Sequence, residues 1–215
     1  MEILMSDRKK AYKTEQEEFW AGNFGTNYMQ RNQGKQLLAS NLAFFSKALR
    51  STSNLKKCIE FGANIGMNLL ALKMLYPNMD LHGIEINESA VAELRSLIPK
   101  DKVYHESILN FEHRGQWDLV LIKGVLIHIN PDEIQTVYDK MISACSRYLL
   151  IAEYYNPTPV SIPYRGHENR LFKRDFAGEI MDMYPEMKLA DYGFAYKRDP
   201  DFPQDDINWF LLRRD

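Results

Sequence analysis

The sequence predicts an α/β fold: a mostly parallel sheet covered by helices on both faces, with an antiparallel hairpin at one edge. Three observations lead to that expectation. Short apolar runs alternate with amphipathic stretches from about residue 55 to residue 153, as buried parallel strands alternate with the helices that cover them. The run Cys58-Ile59-Glu60-Phe61-Gly62-Ala63-Asn64-Ile65-Gly66 ends an apolar strand in a Gly-x-Asn-x-Gly turn that opens a helix. Two last apolar runs, joined by an acidic loop containing proline, close the chain as a hairpin. A chain of 215 residues has room for one full α/β domain with a real core, and not for two ordinary ones.

Residues 1–35 are polar, helical in composition and studded with aromatics. Gln36–Leu49 then carries apolar residues at helical spacing, and Ser51-Thr52-Ser53-Asn54 breaks it. Residues 1–50 are therefore read as an amino-terminal helical cap or lid, and residues 51–215 as the sheet domain. The first strand is expected at Lys57–Phe61 and its helix at Met67–Leu75, ended near Pro77. The second strand is Asp80–Ile84, followed by a helix over Glu88–Leu97 that Pro99 stops. A short third strand covers Lys102–Glu106, and a strongly apolar fourth covers Trp117–Lys123. Pro131 sits at the first turn of a helix over Asp132–Ala144, where its missing N–H costs nothing. The fifth strand is Tyr148–Glu153. Residues 154–170, rich in Pro, Tyr, Arg and His, read as a long loop, and a helix over Arg174–Met183 follows, capped near Lys173. The closing strands are Leu189–Tyr196 and Asn208–Arg213.

Composition narrows the function classes. A formal charge of −2 provides no strong field for nucleic acid or an anionic membrane. Cys58 and Cys145 lie far apart in apolar runs, without metal-ligand or disulfide-framework spacing, and read as small core residues. The opening residues lack an apolar leader, and no run approaches the roughly 18 apolar residues of a membrane span. A cytoplasmic location is expected.

The glycine turn and Glu85, about 20 residues beyond it, point to a nucleoside cofactor whose ribose hydroxyls meet the acid. The dinucleotide fingerprint needs glycines where this chain has Asn64 and Met67. A turn so short of glycine is poorly suited to crowding amides onto a pyrophosphate. A cofactor without phosphate, S-adenosylmethionine, suits it better, with its amino-acid end along the turn.

Glu60-x-Gly62-x-Asn64-x-Gly66 resembles motif I of class I S-adenosylmethionine-dependent methyltransferases, with Asn in place of the commoner middle Gly. The resemblance runs from about residue 55 to residue 155. It implies a Rossmann-like fold with a seven-stranded sheet, and it implies cofactor contacts at Glu60, Gly62, Asn64, Gly66 and Glu85. Ser107-Ile108 falls where that family contacts the adenine. Lys123-Gly124-Val125-Leu126-Ile127-His128 matches the segment beside the transferable methyl. Two outer segments are similar to the methylases associated with pseudaminic acid biosynthesis: Gln16-Glu17-Glu18-Phe19-Trp20-Ala21-Gly22-Asn23-Phe24-Gly25-Thr26-Asn27-Tyr28-Met29-Gln30-Arg31-Asn32 and Tyr164-Arg165-Gly166-His167-Glu168-Asn169-Arg170-Leu171-Phe172-Lys173-Arg174-Asp175-Phe176-Ala177-Gly178-Glu179. That likeness implies a nonulosonic, sialic-acid-like sugar or its nucleotide-linked form as acceptor.

Several residues carry two readings each. Glu60 either bonds the cofactor's amino group or caps backbone amides. His128 is a general base beside the methyl or a histidine that lines and positions the pocket. His167 is the other candidate base, and Tyr154 and Tyr155 are candidate walls of the acceptor pocket, Tyr155 also a catalytic candidate. Tyr154-Tyr155-Asn156-Pro157 is not taken as a base-methylation motif, because it follows the fifth strand instead of the fourth. Lys123 is a pocket residue or a solvated strand end. Arg165, His167, Arg170, Lys173 and Arg174 form a basic cluster that holds an acidic acceptor or is a solvated face balanced by Glu168 and Asp175. Phe19, Trp20, Phe24 and Tyr28, with Arg31, form a lid over the acceptor or a helix packed on the sheet edge. The acidic tail loop of Asp199, Asp201, Asp205 and Asp206 reads as solvated, and no metal is expected. The sequence therefore predicts an S-adenosylmethionine-dependent methyltransferase of a small acidic acceptor, without nucleic-acid or membrane partners. A dehydrogenase is disfavoured by the glycine spacing. A natural-product or protein methyltransferase, acting on a carboxylate or amine, and a non-catalytic adenosylmethionine-binding module stand as alternatives.

Overall fold

The computed structural model describes residues 12–29, 31–112 and 115–215; the first eleven residues of the expected cap, and Gln30 of the aromatic opening, lie outside the described residues. Three helices come first: α1 (Glu15–Ala21), α2 (Asn23–Met29) and α3 (Lys35–Ala48). Then β1 (Lys57–Phe61), α4 (Met67–Leu75), β2 (Asp80–Glu85), α5 (Glu88–Leu97), β3 (Val103–His105), β4 (Trp117–Lys123), α6 (Ile134–Ala144) and β5 (Cys145–Glu153) alternate as expected. A hairpin of β6 (Val160–Tyr164) and β7 (His167–Lys173), α7 (Phe176–Met183), β8 (Met187–Ala195) and β9 (Ile207–Arg214) complete the chain.

Seven strands form one sheet in the order β3-β2-β1-β4-β5-β9-β8. The β1 to β5 ladders are parallel, and β9 runs antiparallel to both β5 and β8, which is the closing hairpin expected at the sheet edge. Alternate residues of the central strands feed two cores. Ile59, Phe61, Val120, Ile122, Leu149 and Ile151 face α6 and α7, whereas Cys58, Leu119, Leu121 and Leu150 face α3, α4 and α5. Side chains alternate across a pleated strand, so a strand covered on both faces is mostly apolar, which is why the interiors of β1 and β4 read as apolar runs interrupted only by Glu60 and Asp118. Both cysteines are free and buried.

Two local caps set the start of helices that matter below. Thr14 opens α1 with a reciprocal capping box: its hydroxyl accepts from Glu17 N, and the Glu17 carboxylate accepts from Thr14 N. Asn87 caps α5, its side chain accepting from Ala90 N at 3.1 Å.

The main departure from expectation is residues 154–170, read as a loop. Their second half belongs to the β6–β7 hairpin, a separate two-stranded sheet. Its turn is Arg165-Gly166, both at positive φ (52° and 83°), the conformation of a two-residue hairpin loop, with Tyr164 opposite His167. Smaller shifts occur elsewhere. α7 begins at Phe176 with Asp175 as its cap, accepting from Gly178 N at 2.8 Å. The helix expected from Asp132 starts as a short 3-10 turn over Pro131–Glu133 before α6.

Candidate functional site

Strand order reverses between β1 and β4, and a crevice opens there beyond the carboxyl ends of the strands. It is a cleft of roughly 1240 Å3, mouth included. Gly62, Asn64, Glu85, Ser107, Ile108, Lys123 and His128 line it from the sheet side, and Glu17, Trp20 and Tyr28 line it from α1 and α2.

The glycine turn is held by its own backbone. Gly62 N and Ala63 N both donate to the Ile84 carbonyl, at 3.0 and 2.9 Å, tying the end of β1 to β2. Gly62, Asn64 and Gly66 all have positive φ, at 78°, 48° and 85°. A Cβ on Gly62 would stand 2.6 Å from Val125 Cγ2, and one on Gly66 would stand 2.7 Å from Leu94 Cδ1 and Leu97 Cδ2. The close approaches that demand glycine are thus to neighbouring protein atoms, a packing reason the sequence reading did not anticipate.

Glu85, buried at the end of β2, clasps this turn. Its Oε2 accepts from Asn64 N and its Oε1 from Asn87 N, each at 2.7 Å. Each oxygen keeps a second lone pair, and the residue lines the cleft, so the acid can also accept from a ligand hydroxyl. Burial raises its pKa against the pull of these amides.

Three charged side chains lie at the ends of β1, β4 and β5. Glu60 is 1% exposed; its Oε1 accepts from Asn68 Nδ2 at 2.6 Å and its Oε2 is buried without a partner. Burial pushes its pKa up to about 8. Its recorded partner is thus a side-chain amide and not a backbone N–H. Glu153, missed by the sequence reading, is buried as well. Its Oε1 accepts from Val125 N and Leu126 N, both at 2.9 Å, its Oε2 has no partner, and burial pushes its pKa up to about 7. The signal that could have found it is an acid ending an otherwise apolar strand. Lys123 is half-buried, with its pKa lowered by burial and supported by the charges of Glu60, Glu153 and Asp205; its ammonium lies 5.6 Å from the centre of the Phe44 ring.

By fixing Val125 and Leu126, Glu153 shapes the 3-10 turn Leu126–His128. His128 Nδ1 lies 2.5 Å from the Arg170 carbonyl, which can only accept, so Nδ1 carries the proton and Nε2 the lone pair. Burial pushes its pKa down to about 4, so the ring is neutral at pH 7. Trp20 and Tyr164 pack against it at 4.6 and 4.8 Å between ring centres.

The amino-terminal wall is anchored at several points. Asn87 Nδ2 lies within 3.1–3.2 Å of the carbonyls of Trp20, Ala21 and Gly22 and of Thr26 Oγ1, gripping the bend between α1 and α2. Gln16 donates to the Asn169 carbonyl at 3.0 Å, and Lys13 pairs with Glu133 at 2.7 Å. Tyr28 stands edge-on to Trp20 at 5.2 Å, and burial pushes its pKa up to about 12. Arg31 stacks outside the cleft wall, over Phe24 and Tyr28.

The remaining expected residues are not brought into the cleft wall. Arg170 makes a two-pronged ion pair with Glu15, at 2.8 and 3.2 Å, and covers the Phe19 ring. Arg174 pairs with Glu179 at 2.9 Å, Lys173 lies over the Tyr154 ring, and the exposed Arg165 lies over Tyr164. The basic cluster is therefore dispersed among protein partners. His167 is exposed on the hairpin and stands edge-on to Phe19 and Phe24, at 5.0 and 5.9 Å between ring centres. Tyr154 donates its hydroxyl to Asp205, which raises its pKa along with burial. Tyr155 lies in a separate small depression with Ile151, Phe176 and Phe210, a position that departs from the catalytic role read for it. Among the described residues no group of three His, Cys, Asp or Glu is placed to hold a metal ion. Also among them, no helix is long and apolar enough to cross a membrane.

Glu85 on the cleft wall suits the ribose hydroxyls of a nucleoside. Glu60, with its buried, unpartnered Oε2, and Gly66 lie outside the cleft-lining residues.

No protein-family model and no curated protein matches the chain. Solved structures do share its fold. Magnesium protoporphyrin IX methyltransferase from Synechocystis PCC 6803, with bound S-adenosylmethionine, superposes with a TM-score of 0.65 at 15% identity, covering 95% of this chain and all of that one. An amino pentose methyltransferase from Micromonospora echinaspora gives 0.62 at 10% identity, covering 89% and 96% of the two chains. Mitomycin 7-O-methyltransferase gives 0.65 at 12% identity, covering 94% of this chain and 61% of that one. The chain has the Rossmann-like fold of these enzymes.

Proposed function

We propose that this protein is an S-adenosylmethionine-dependent methyltransferase acting on a small, hydroxyl- or amine-bearing acceptor. The single observation that carries the reading is the clasp of Glu85 on the glycine turn, set in a cleft at the strand-order reversal. Glu60, buried just outside the cleft-lining residues with one partnerless oxygen, is read as the partner of the donor's ammonium. Ser107 and Ile108 border the adenine end in this reading, and Lys123 the region nearest the methyl. The likeness to methyltransferases of a porphyrin, a sugar and a natural product supports the reaction class and spans several acceptors.

The donor's sulfonium supplies an already activated methyl group, which passes to an acceptor lone pair while sulfur keeps the bonding electrons. The protein's work is then to place the acceptor in line and exclude water. Trp20 and Tyr28 form the covering wall, and α1, α2 and α3 act as the cap of the site. A hydroxyl acceptor also needs a base; the Nε2 lone pair of neutral His128 is the candidate, a weak base with its pKa held down at about 4 by burial.

The resemblance to pseudaminic acid-associated methylases points to a sugar acceptor. Amide and hydroxyl side chains on the cleft wall, among them Gln16, Tyr28, Asn32, Asn41 and Asn130, support a polyhydroxylated molecule. The acidic character expected from the basic cluster has less support, because Arg170 and Arg174 are ion-paired within the protein. The test is S-adenosylhomocysteine formation when the protein and donor are mixed with small-molecule extract of the source organism. Extract-dependent product supports the enzyme, whereas donor binding without turnover would point to a non-catalytic binding module.

A further inference from the structure

Two buried polar atoms on α1 have no protein partner, and both residues face the cleft. Glu17 is 8% exposed. Its Oε2 is held by the capping box, 2.9 Å from Thr14 N, while its Oε1 is buried and unmet. One helical turn later, Trp20 Nε1 is also buried and unmet. Residues three apart share a helix face, and both line the cleft beside His128. Buried polar groups are almost always paired, and an unpaired carboxylate oxygen is among the most costly exceptions. A ligand that supplies the missing partners removes that cost on binding.

We propose that Glu17 and Trp20 form an acceptor-binding station that selects a hydroxyl or amino group on an acceptor without negative charge. The inference rests on the methyltransferase reading above and names its substrate class. A carboxylate only accepts and an indole N–H only donates, so a group seated on Glu17 must donate to it and a group seated on Trp20 must accept from it. A hydroxyl or a neutral amine does both, and a protonated amine satisfies Glu17. A carboxylate or phosphate would face the Glu17 charge instead. The rest of the wall agrees: Gln16 and Asn130 flank the station with amides, and among the described residues Lys123 is the one Lys or Arg that lines the cleft. That lysine already has the carboxyls of Glu60, Glu153 and Asp205 as electrostatic neighbours.

The test uses the whole protein, methyl-labelled S-adenosylmethionine, and a small-molecule extract of the source organism sorted by charge on ion exchangers. Label is expected in the uncharged or cationic fraction. Glu17→Gln keeps an oxygen for Thr14 N–H but presents an amide N–H to the ligand, reversing the polarity of the station. Its kcat/KM for the labelled fraction is expected to fall roughly 10- to 100-fold, as for a lost charged hydrogen bond. Trp20→Phe, which keeps a ring against His128, should show a smaller loss. Donor affinity by calorimetry is expected to be unchanged in Glu17→Gln. Label confined to the anionic fraction overturns the inference while leaving the methyltransferase standing. Unchanged kcat/KM in both variants, or lost donor affinity in Glu17→Gln, also overturns it. Label in no fraction removes the methyltransferase reading itself, and this inference with it.

Discussion

Glu60 gives this protein a pH-dependent stability that one substitution isolates. In the folded protein its carboxyl titrates at about 8, against a reference value of 4.5, because burial penalises the charge. The folded-state pKa lies above the unfolded one, so between them the folded state holds a proton that the unfolded state has lost. Its stabilising contribution is therefore fully present below the unfolded value and is lost as pH rises through the folded value. The slope is about 1.4 kcal/mol per pH unit, so stability falls by about 3 kcal/mol between about pH 5.5 and about pH 7.5. For a chain of this size that corresponds to roughly 6–12 °C in Tm. Glu60→Gln keeps an oxygen for Asn68 and cannot ionise, so this component vanishes. Glu153 and His128 titrate in both proteins and cancel in the comparison. Urea unfolding followed by tryptophan fluorescence at the two pH values gives the difference directly. Donor binding near pH 7 should also release a proton in the native protein and less in Glu60→Gln, as an ammonium against Glu60 favours its ionised form. Calorimetry in buffers of different ionisation enthalpy measures that release. Equal pH dependence of stability in the two proteins would refute the reasoning.

Three further outcomes follow from the site. Glu85→Gln leaves one acceptor for the two amides of Asn64 and Asn87, and donor affinity should fall roughly 10- to 100-fold, read by calorimetry. Gly62→Ala should destabilise the protein by about 1–3 kcal/mol from its left-handed backbone alone, with more from the clash with Val125. Adding Val125→Ala should recover the steric part and leave the backbone part, so a double variant no more stable than Gly62→Ala would count against the clash. Arg170→Ala removes the ion pair with Glu15 and the cover on Phe19. Limited proteolysis should then cut residues 12–29 faster, with little change in the global unfolding midpoint; unchanged proteolysis would show that the pair does not hold α1.

Much of this architecture is legible in the sequence for a simple reason. β1 and β4 are covered on both faces, so their burial is written as mostly apolar runs, and α4 and α5 match the expected Met67–Leu75 and Glu88–Leu97. The hairpin of β6 and β7 was not legible because most of its residues are exposed on both faces and leave no alternation. Its turn also uses Arg165-Gly166 instead of an Asn-Gly pair. Gly62, Asn64 and Glu85 were found from spacing, but the clasp between Asn64 and Glu85 appears only when β1 and β2 lie side by side. The dispersal of the basic cluster was hidden for a related reason: Arg170 finds Glu15 across 155 residues, and no local pattern announces such a pair. Glu17 did have a signal, since Thr14-x-x-Glu17 is a capping box. What that pattern omits is that the second carboxylate oxygen would face a cleft.

The central claim is that the glycine turn, Glu60 and Glu85 bind S-adenosylmethionine and not a dinucleotide. Calorimetry of the whole protein with S-adenosylmethionine and with NAD, at one temperature and pH, tests it most directly. S-adenosylmethionine should bind saturably to one site per chain, more weakly in Glu85→Gln, and NAD should give no heat. Heat with NAD and none with S-adenosylmethionine would contradict it.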